Sequence, residues 1–298
     1  MTAAPRATAA GRAYLDLRAK ARIDGRLTDE LIQLYMLEGF LARLATSDHT
    51  QQLVLKGGAL LAAFGTRRPT RDIDFAARGL SNDGHHILEV VRAIATRAPA
   101  EDDGLVFDPN SAIADVIRDD EEYSGVRVSI NVELATARSR FHVDVNVGDP
   151  IWPAPELVEV PRLLGGPPVE LLGYPVHMVH AEKIVTAVQR GTVNTRWRDF
   201  GDVWTLSRVH PIDGRQLHSA ITAVADHRGV HLSPLRIILD GYPTLAQAKW
   251  AAWRRKQKLD ALPADFTTLL ADYVAFADPA LVGEVTGQRW HPSAAAWQ

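Results

Sequence analysis

The periodicity of the apolar residues changes once along the chain, and this change constrains the fold more than any other feature. Before about residue 149, short runs alternate apolar and polar residues with a period of two, which is typical of strands with one buried face. After about residue 168, apolar residues recur at helical spacing. The sequence therefore predicts an α/β N-terminal domain, with a mixed sheet flanked by helices, and an all-helical C-terminal domain.

A stretch rich in proline and glycine separates the two patterns. It contains Asp149-Pro150-Ile151-Trp152-Pro153-Ala154-Pro155 and Gly165-Gly166-Pro167-Pro168. Proline and glycine interrupt helices and strands, so this stretch is the best candidate for a domain boundary. We predict one domain over residues 1–165 and a second over residues 166–298, which agrees with the length expected of two domains.

Local patterns place the elements within each half. In the N-terminal half we predict helices over 28–46, 59–64 and 83–98, and strands over 51–56, 72–76, 112–117, 126–134 and 141–147. In the C-terminal half we predict helices over 177–190, 196–208, 213–228, 244–258 and 263–277.

Composition excludes several classes of function. The chain has no cysteine, which rules out disulfides, thiolate–zinc sites and a cysteine nucleophile. Neither a His-Glu-x-x-His motif nor a phosphate-binding P-loop occurs. No apolar run approaches the length of a membrane span, and the N-terminus lacks the apolar middle of a secretory signal, so we expect a cytoplasmic protein without a membrane segment. The net charge of -3 gives no global nucleic-acid footprint, so any RNA must be bound by local basic patches.

Two aspartates on one predicted strand are the first candidates for chemistry. Asp72 and Asp74 are two positions apart, so both side chains point to the same face of the strand, while Ile73 points to the other. Adjacent carboxylates repel each other, and a divalent cation relieves that repulsion. Mg²⁺ prefers such oxygen ligands together with substrate phosphates. A solvated pair of surface carboxylates stays an open alternative for this pattern taken alone.

A glycine pair ends the strand predicted before these aspartates. Gly57-Gly58 follows the run over residues 51–56 and precedes a predicted helix. Glycine lets the backbone come close to a ligand, and N–H groups at the start of a helix bind phosphate oxygens. A Gly-Gly pair is commonly only a turn. Its combination with the aspartate pair, with a predicted strand before each, indicates a metal and phosphate site more specifically than either pair alone.

A third carboxylate lies in the run over residues 141–147. The valines of this run occupy one face of the predicted strand, and His142, Asp144 and Asn146 occupy the other. We predict that Asp144 lies beside the aspartate pair, as a metal ligand or as the general base on an attacking hydroxyl. The alternative is that Asp144 lies on the solvent-exposed face of an edge strand.

The order and spacing of these residues resemble a known family. Lys56-Gly57-Gly58, followed by Arg68-Pro69-Thr70-Arg71-Asp72-Ile73-Asp74, resembles the first motif of the AbiEii-type nucleotidyltransferases. These proteins, which include the MenT group, are toxins of type IV toxin–antitoxin systems within the polymerase-β-like superfamily. In that superfamily Gly-Ser precedes Asp-x-Asp, and Gly58 stands here where serine is usual.

Two segments of the C-terminal half extend the resemblance. Residues 181–187 resemble the family's second motif, which carries a helical lysine at Lys183, and residues 196–202 resemble the third. In the third motif Asp199 and Asp202 are one helical turn apart and can face the same cleft. Taken alone, each segment also fits an ordinary surface helix with solvated lysines and ion pairs.

The resemblance implies a role for each of these residues. Asp72, Asp74 and Asp144 would bind Mg²⁺ or Mn²⁺, and together with Lys183 and Asp202 they would form the catalytic set. The residues implied to bind the nucleotide are Gly57, Gly58, Thr70, Arg71, Lys183, Arg190 and Asp199.

The activity implied by the resemblance is transfer of NMP from an NTP to the 3′ end of tRNA, which would block aminoacylation and growth. A cognate antitoxin is implied as a partner. The sequence adds a basic cluster at residues 249–258, with Trp250 and Trp253, whose composition suits stacked bases and phosphates. More often, such a helix is amphipathic, with its tryptophans in the core.

Two other functions stay open at the level of the sequence. A nucleotidyltransferase domain of this type can instead modify a small molecule such as an aminoglycoside, or a protein. Alternatively, the carboxylates can be the relic of a protein that binds nucleotides without catalysis.

Overall fold

The computed structural model describes residues 6–118 and 124–298, and the chain forms two compact units. The first unit comprises Met1–Asp149 and Glu156–Gly173, and the second comprises Pro150–Pro155 and Tyr174–Gln298. The first unit therefore extends beyond the boundary predicted after residue 165. The reason is a strand over Val169–Gly173, which pairs with two other strands of the first unit.

The first unit is a mixed sheet flanked by helices, as the sequence predicts. Its helices are α1 (Ala9–Asp24), α2 (Thr28–Ala45), α3 (Gly57–Leu60) and α4 (Gly84–Ala95). Its strands are β1 (Leu53–Lys56), β2 (Asp72–Ala77), β3 (Leu105–Arg118), β4 (Ser124–Leu134), β5 (Ala137–Val147), β6 (Glu156–Val160) and β7 (Val169–Gly173). These strands form one seven-stranded sheet in the order β3-β4-β5-β2-β1-β7-β6.

The two faces of the sheet differ because the central strands alternate with a period of two. Ile73, Phe75, Val143 and Val145 are fully buried on one face. Helix α2 packs against this face, where Phe40 lies edge-on to Phe141 of β5 at a ring-centroid distance of 5.7 Å. The polar residues of β2 and β5 consequently lie on the opposite face.

Strands β6 and β7 were not predicted, because β6 lies between the two segments whose prolines and glycines indicate a boundary, and β7 begins directly after the second. Both are short, and β7 joins the sheet through a parallel pairing with β1 and an antiparallel pairing with β6. These segments form strands because they pair with other segments of the chain, and local composition does not reveal such pairing.

The second unit is mostly helical. Its helices are α5 (Val176–Arg190), α6 (Trp197–Val209), α7 (Gly214–His227), α8 (Leu235–Ile238), α9 (Tyr242–Lys256) and α10 (Phe266–Leu281), with a 3-10 turn over Gly191–Val193. Three short strands, β8 (Ile212–Asp213), β9 (Arg289–His291) and β10 (Ala296–Trp297), form a sheet in the order β10-β9-β8. This sheet corrects the prediction of an all-helical C-terminal domain.

Buried aromatic rings hold the second unit together. Phe200, Tyr242, Phe266 and Tyr273 contact one another at centroid distances of 5.0–5.8 Å. Offset and edge-on contacts of this kind add to the free energy gained from burying the rings. As for membranes, no helix within the described ranges combines the length and the apolar character that crossing a bilayer requires.

Candidate active site

The parallel pairing of β2 with β5 brings two of the predicted carboxylates side by side. Asp74 and Asp144 are direct register partners, so their side chains lie on the same face of the sheet. Lys56 of β1 is the partner of Asp74 on one side, and Arg127 of β4 is the partner of Asp144 on the other. The row across four strands therefore places two carboxylates between two cations. We call these four residues the charge row.

Asp72 lies on the same strand face as Asp74, two positions earlier. Its register partner on β5 is His142, whose Nδ1 is 2.8 Å from Ser129 Oγ. Across the part of the chain that the structure describes, however, no three histidine or acidic side chains are arranged as a ready metal site. The structure thus brings Asp72, Asp74 and Asp144 to one face without closing them around a common point.

Asp144 is held by a two-pronged contact from Arg127. Arg127 Nε donates to Asp144 Oδ1 at 2.8 Å, and Nη2 donates to Oδ2 at 2.6 Å. Asp144 is 7% exposed, whereas the Arg127 side chain is 37% exposed. The hydrogen bonds with Asp144, and the charges of Asp144, Asp72 and Asp74, raise the pKa of Arg127 above its ordinary value. No sequence pattern singles out this arginine.

Lys56 is likewise held by an ion pair. Its Nζ donates to Asp149 Oδ2 at 2.7 Å, and both side chains are nearly buried, at 10% and 15% exposure. Asp149 lies just after β5, in the stretch that the sequence analysis treats as a boundary. A buried ammonium requires a partner of this kind, because an unpaired charge there is costly.

The glycine pair lies directly against the carboxylates. Gly57 has a φ of 65°, and a Cβ at this position would overlap the carboxylate of Asp74. A Cβ at Gly58 would come within 2.8 Å of Thr70 Oγ1 and 3.1 Å of Arg68 Nη1. Only glycine therefore allows the backbone to approach the aspartate and the threonine this closely.

The other residues predicted on the loop before β2 lie nearby. Thr70 Oγ1 is 3.3 Å from the backbone carbonyl oxygen of Asp72, to which it donates. Arg71 has an exposed side chain, and its carbonyl oxygen accepts from Gln33 Nε2 at 3.3 Å. Arg71 is thus fixed through its backbone while its guanidinium stays accessible.

A small pocket adjoins Gly58 and Thr70. Leucines of α2 form its apolar side, and Glu38, Arg67 and Arg68 contribute its charged groups. Glu38 is 3% exposed, and its Oε2 accepts the N–H of Leu163 at 2.8 Å. Burial raises the pKa of Glu38 and lowers that of Arg67. Glu38 interrupts the apolar run of α2, and this is the sequence signal that could have indicated a buried carboxylate there.

In the second unit, a lysine of α5 is held between two aspartates of α6. Lys183 Nζ donates to Asp199 Oδ1 at 2.5 Å and to Asp202 Oδ2 at 2.9 Å. All three side chains are largely buried, at 11%, 17% and 6% exposure. Residues from the predicted second and third motifs therefore come together. Arg190, also predicted to bind the nucleotide, is half-buried at the last position of α5.

The basic helix α9 buries Trp250 in the core, which confirms the more usual interpretation of such a helix over the stacking of Trp250 on bases. Trp250 is fully buried, and its Nε1 donates to the carbonyl oxygen of Pro263 at 2.9 Å. Trp253 is half-buried and lies 5.3 Å from Trp250 between ring centroids. Arg254 donates to the backbone oxygens of Leu262 and Asp260. What this helix presents to solvent is the charge of its lysines and of Arg255.

Comparison with known proteins identifies the class of the molecule. A family model described as nucleotidyl transferase AbiEii toxin, type IV TA system, matches residues 39–295, which is most of the chain. The class is thus that of nucleotidyltransferase toxins of toxin–antitoxin systems. The chain belongs to the AbiEii family, and the resemblance read from the sequence motifs is confirmed.

Two solved structures are similar to this chain at low identity. JHP933 from Helicobacter pylori is 14% identical, with 86% of this chain and 94% of that chain covered and a TM-score of 0.49. A second H. pylori protein, described provisionally as a nucleotidyltransferase, is 12% identical, with 78% and 98% covered and a TM-score of 0.34. No curated protein matches the sequence.

Proposed function

We propose that the protein is a divalent-metal-dependent nucleotidyltransferase that transfers NMP from an NTP to the 3′ end of tRNA, and that this transfer blocks aminoacylation and growth. Membership of the AbiEii family supports the class of reaction. The observation that carries the proposal is the position of Asp74, beside Asp144 on the parallel strand and against the backbone of Gly57.

The donor chemistry of the site fits a divalent cation. Carboxylate oxygens are the ligands that Mg²⁺ and Mn²⁺ prefer, and Asp72, Asp74 and Asp144 offer them on one face of the sheet. When bound, such a cation stabilises the charge that develops on the attacking and leaving oxygens of phosphoryl transfer. In the reaction, the acceptor hydroxyl gives its proton to a carboxylate of the site or to water, its oxygen bonds the α-phosphorus, and the bond to pyrophosphate breaks.

The chain's own cations and amides would bind the triphosphate. Gly57 and Gly58 let the backbone lie directly against Asp74 and Thr70, and Arg71 presents an exposed guanidinium. Thr70 adds a hydroxyl next to Gly58. We assign Lys183 as a further cation of the reaction, held in one orientation by Asp199 and Asp202. Arg190 and Asp199 complete the proposed nucleotide-binding set.

The charge of the open sheet face favours an RNA acceptor over a polycationic drug. Arg138 and Arg140 are exposed on β5, and they share the strand face of Asp144 because they are an even number of residues from it. Arg138 pairs with Glu133, and Arg140 lies opposite Asn131. These guanidinium groups suit the phosphates of a nucleic acid and would repel an aminoglycoside.

The test is incubation with labelled NTPs and Mg²⁺, with total tRNA in one set of reactions and aminoglycosides in the other. We expect label on tRNA, an added mass at its 3′ end, and no transfer by Asp74→Asn. Arg208→Gln, which removes an exposed guanidinium of the second unit, is the control and should transfer normally. Label on the drug only would favour the small-molecule alternative. Equal growth inhibition by wild type and Asp74→Asn would favour a non-catalytic protein.

A further inference from the structure

Asp144 cannot bind a cation in the state that the structure shows without competition from Arg127. Both oxygens of its carboxylate already accept a hydrogen bond from the guanidinium, at 2.8 and 2.6 Å. Hydrogen bonds of this two-pronged type are among the strongest that a carboxylate makes. Because Asp144 is 7% exposed, few other groups can reach it from solvent.

The position of the guanidinium resembles that of a counter-ion. Asp74 and Asp144 are neighbours on adjacent parallel strands, and their mutual repulsion requires a positive charge nearby. Lys56 contacts Asp149, and Arg127 contacts Asp144, so each end of the charge row ends in an ion pair. Arg127 therefore stabilises the acidic face in the absence of a metal ion.

The Arg127 side chain has room to leave. The side chain is 37% exposed. On its other side, Arg127 pairs in register with Asp115 of β3, which is also exposed. The guanidinium end of the pair faces solvent, so a divalent cation, which carries twice its charge, can displace it despite the strength of the two hydrogen bonds. A guanidinium released from Asp144 suits a phosphate group, which it binds with the same fork.

We propose that Arg127 is a built-in competitor of the divalent cation: it occupies Asp144 while no metal is bound, and metal binding releases it to a phosphate of the substrates. Arg127 is thus a positioning residue that couples metal binding to phosphate binding. This inference rests on the proposed function, because it assumes that Asp144 is a metal ligand. It differs from the ordinary view of an arginine beside a metal ligand, in which the arginine supports the ligand and its loss weakens binding.

The two views predict opposite changes in Mn²⁺ affinity when Arg127 is replaced. We would titrate the whole protein with Mn²⁺ alone, without nucleotide, and follow free Mn²⁺ by electron paramagnetic resonance. If Arg127 competes, Arg127→Gln binds Mn²⁺ about tenfold more tightly than wild type, which is the scale of a partly exposed two-pronged pair. Arg127→Lys, which keeps the charge but loses the fork, should bind with intermediate affinity. The gain should disappear in the double variant Arg127→Gln, Asp144→Asn.

Arg208→Gln is the matched control. Arg208 also pairs with an aspartate, Asp272, at 2.5 Å, and its side chain is 35% exposed, close to the 37% of Arg127. Its loss should leave Mn²⁺ affinity unchanged. Urea unfolding of each variant shows that the fold is kept, and the lysine variant carries the test if the glutamine variant unfolds.

Two outcomes would overturn the inference, and they are distinguishable from each other. If wild type binds Mn²⁺ but Arg127→Gln binds it equally or more weakly, the inference is wrong while the proposed metal dependence stands. If none of the proteins binds Mn²⁺ and wild type transfers nucleotides without added metal, the metal requirement of the proposed function is wrong as well.

Discussion

Replacing Gly57 with alanine tests whether the close approach of the glycine backbone to Asp74 matters for the reaction. Gly57 has a φ of 65°, a region in which a residue with a Cβ is strained by about 1–2 kcal/mol. In addition, the new Cβ would overlap the carboxylate of Asp74, which must move. Gly57→Ala therefore combines a backbone cost with a displaced carboxylate.

Gly65→Ala separates these two effects. Gly65 has a similar φ of 72°, but a Cβ at this position meets no atom within 4 Å. We expect both variants to lose about 1–2 kcal/mol of the free energy of unfolding, measured with urea. Only Gly57→Ala should also lose transfer activity, by about a hundredfold, because a shift of about 1 Å in a reacting group has an effect of that order.

Folded protein must be assayed in both cases, at a temperature well below the unfolding midpoint. Wild-type activity of both alanine variants would refute the reasoning, since it would mean that Asp74 tolerates displacement or takes no part in the reaction. A loss of activity in Gly65→Ala as large as that in Gly57→Ala would point to backbone strain alone.

Three further predictions concern the second unit. Burial lowers the pKa of His180 well below 6.5, and neither ring nitrogen has a hydrogen-bond partner among the described residues, so the folded protein keeps the ring neutral. The free energy of unfolding should therefore fall below pH 6.5, by up to about 1.4 kcal/mol per pH unit, and His180→Leu should reduce this slope in urea titrations at pH 7.5 and 5.5. Lys183→Met should lower the free energy of unfolding by about 3 kcal/mol, because it leaves Asp199 and Asp202 facing each other without a cation. Urea unfolding of Lys183→Met and of the double variant Lys183→Met, Asp199→Asn checks this, and the double variant should recover part of the loss. Trp250→Ala should cost about 3–5 kcal/mol in urea unfolding, since the ring is fully buried, and a loss of tRNA binding without a loss of stability would contradict the position of the ring.

The central strands of the first unit were predictable because their pattern reports burial directly. In β2 and β5 the apolar residues alternate with the aspartates, so a period of two places the aspartates on the opposite face. The parallel register of Asp74 with Asp144 follows from pairing between distant segments, and the sequence predicted only that the two lie close together. The helices of the second unit were predictable for the same reason, at the helical period.

Most of what escaped prediction depends on contacts between distant segments or on very short elements, and the exception is α1 (Ala9–Asp24), where no helix was predicted. Arg127 is one of several polar residues on the open face of β4, and only the register of β4 with β5 makes it the partner of Asp144. Strands β8, β9 and β10 have two or three residues each, too few to show a period.

The charge row also indicates how a metal ion and a triphosphate would bind. Its two carboxylates and two cations carry no formal net charge, but Asp149, which pairs with Lys56, and Asp72, which shares the strand face of Asp74, add two negative charges beside it. This excess of two carboxylates repels a free polyanion such as a nucleoside triphosphate. A metal–triphosphate complex would bring positive charge of its own, and its phosphates would offer Arg127 a new partner. The arrangement therefore favours a nucleotide that arrives with its metal over a free nucleotide, and the proposed displacement of Arg127 from Asp144 is the step that would link the two.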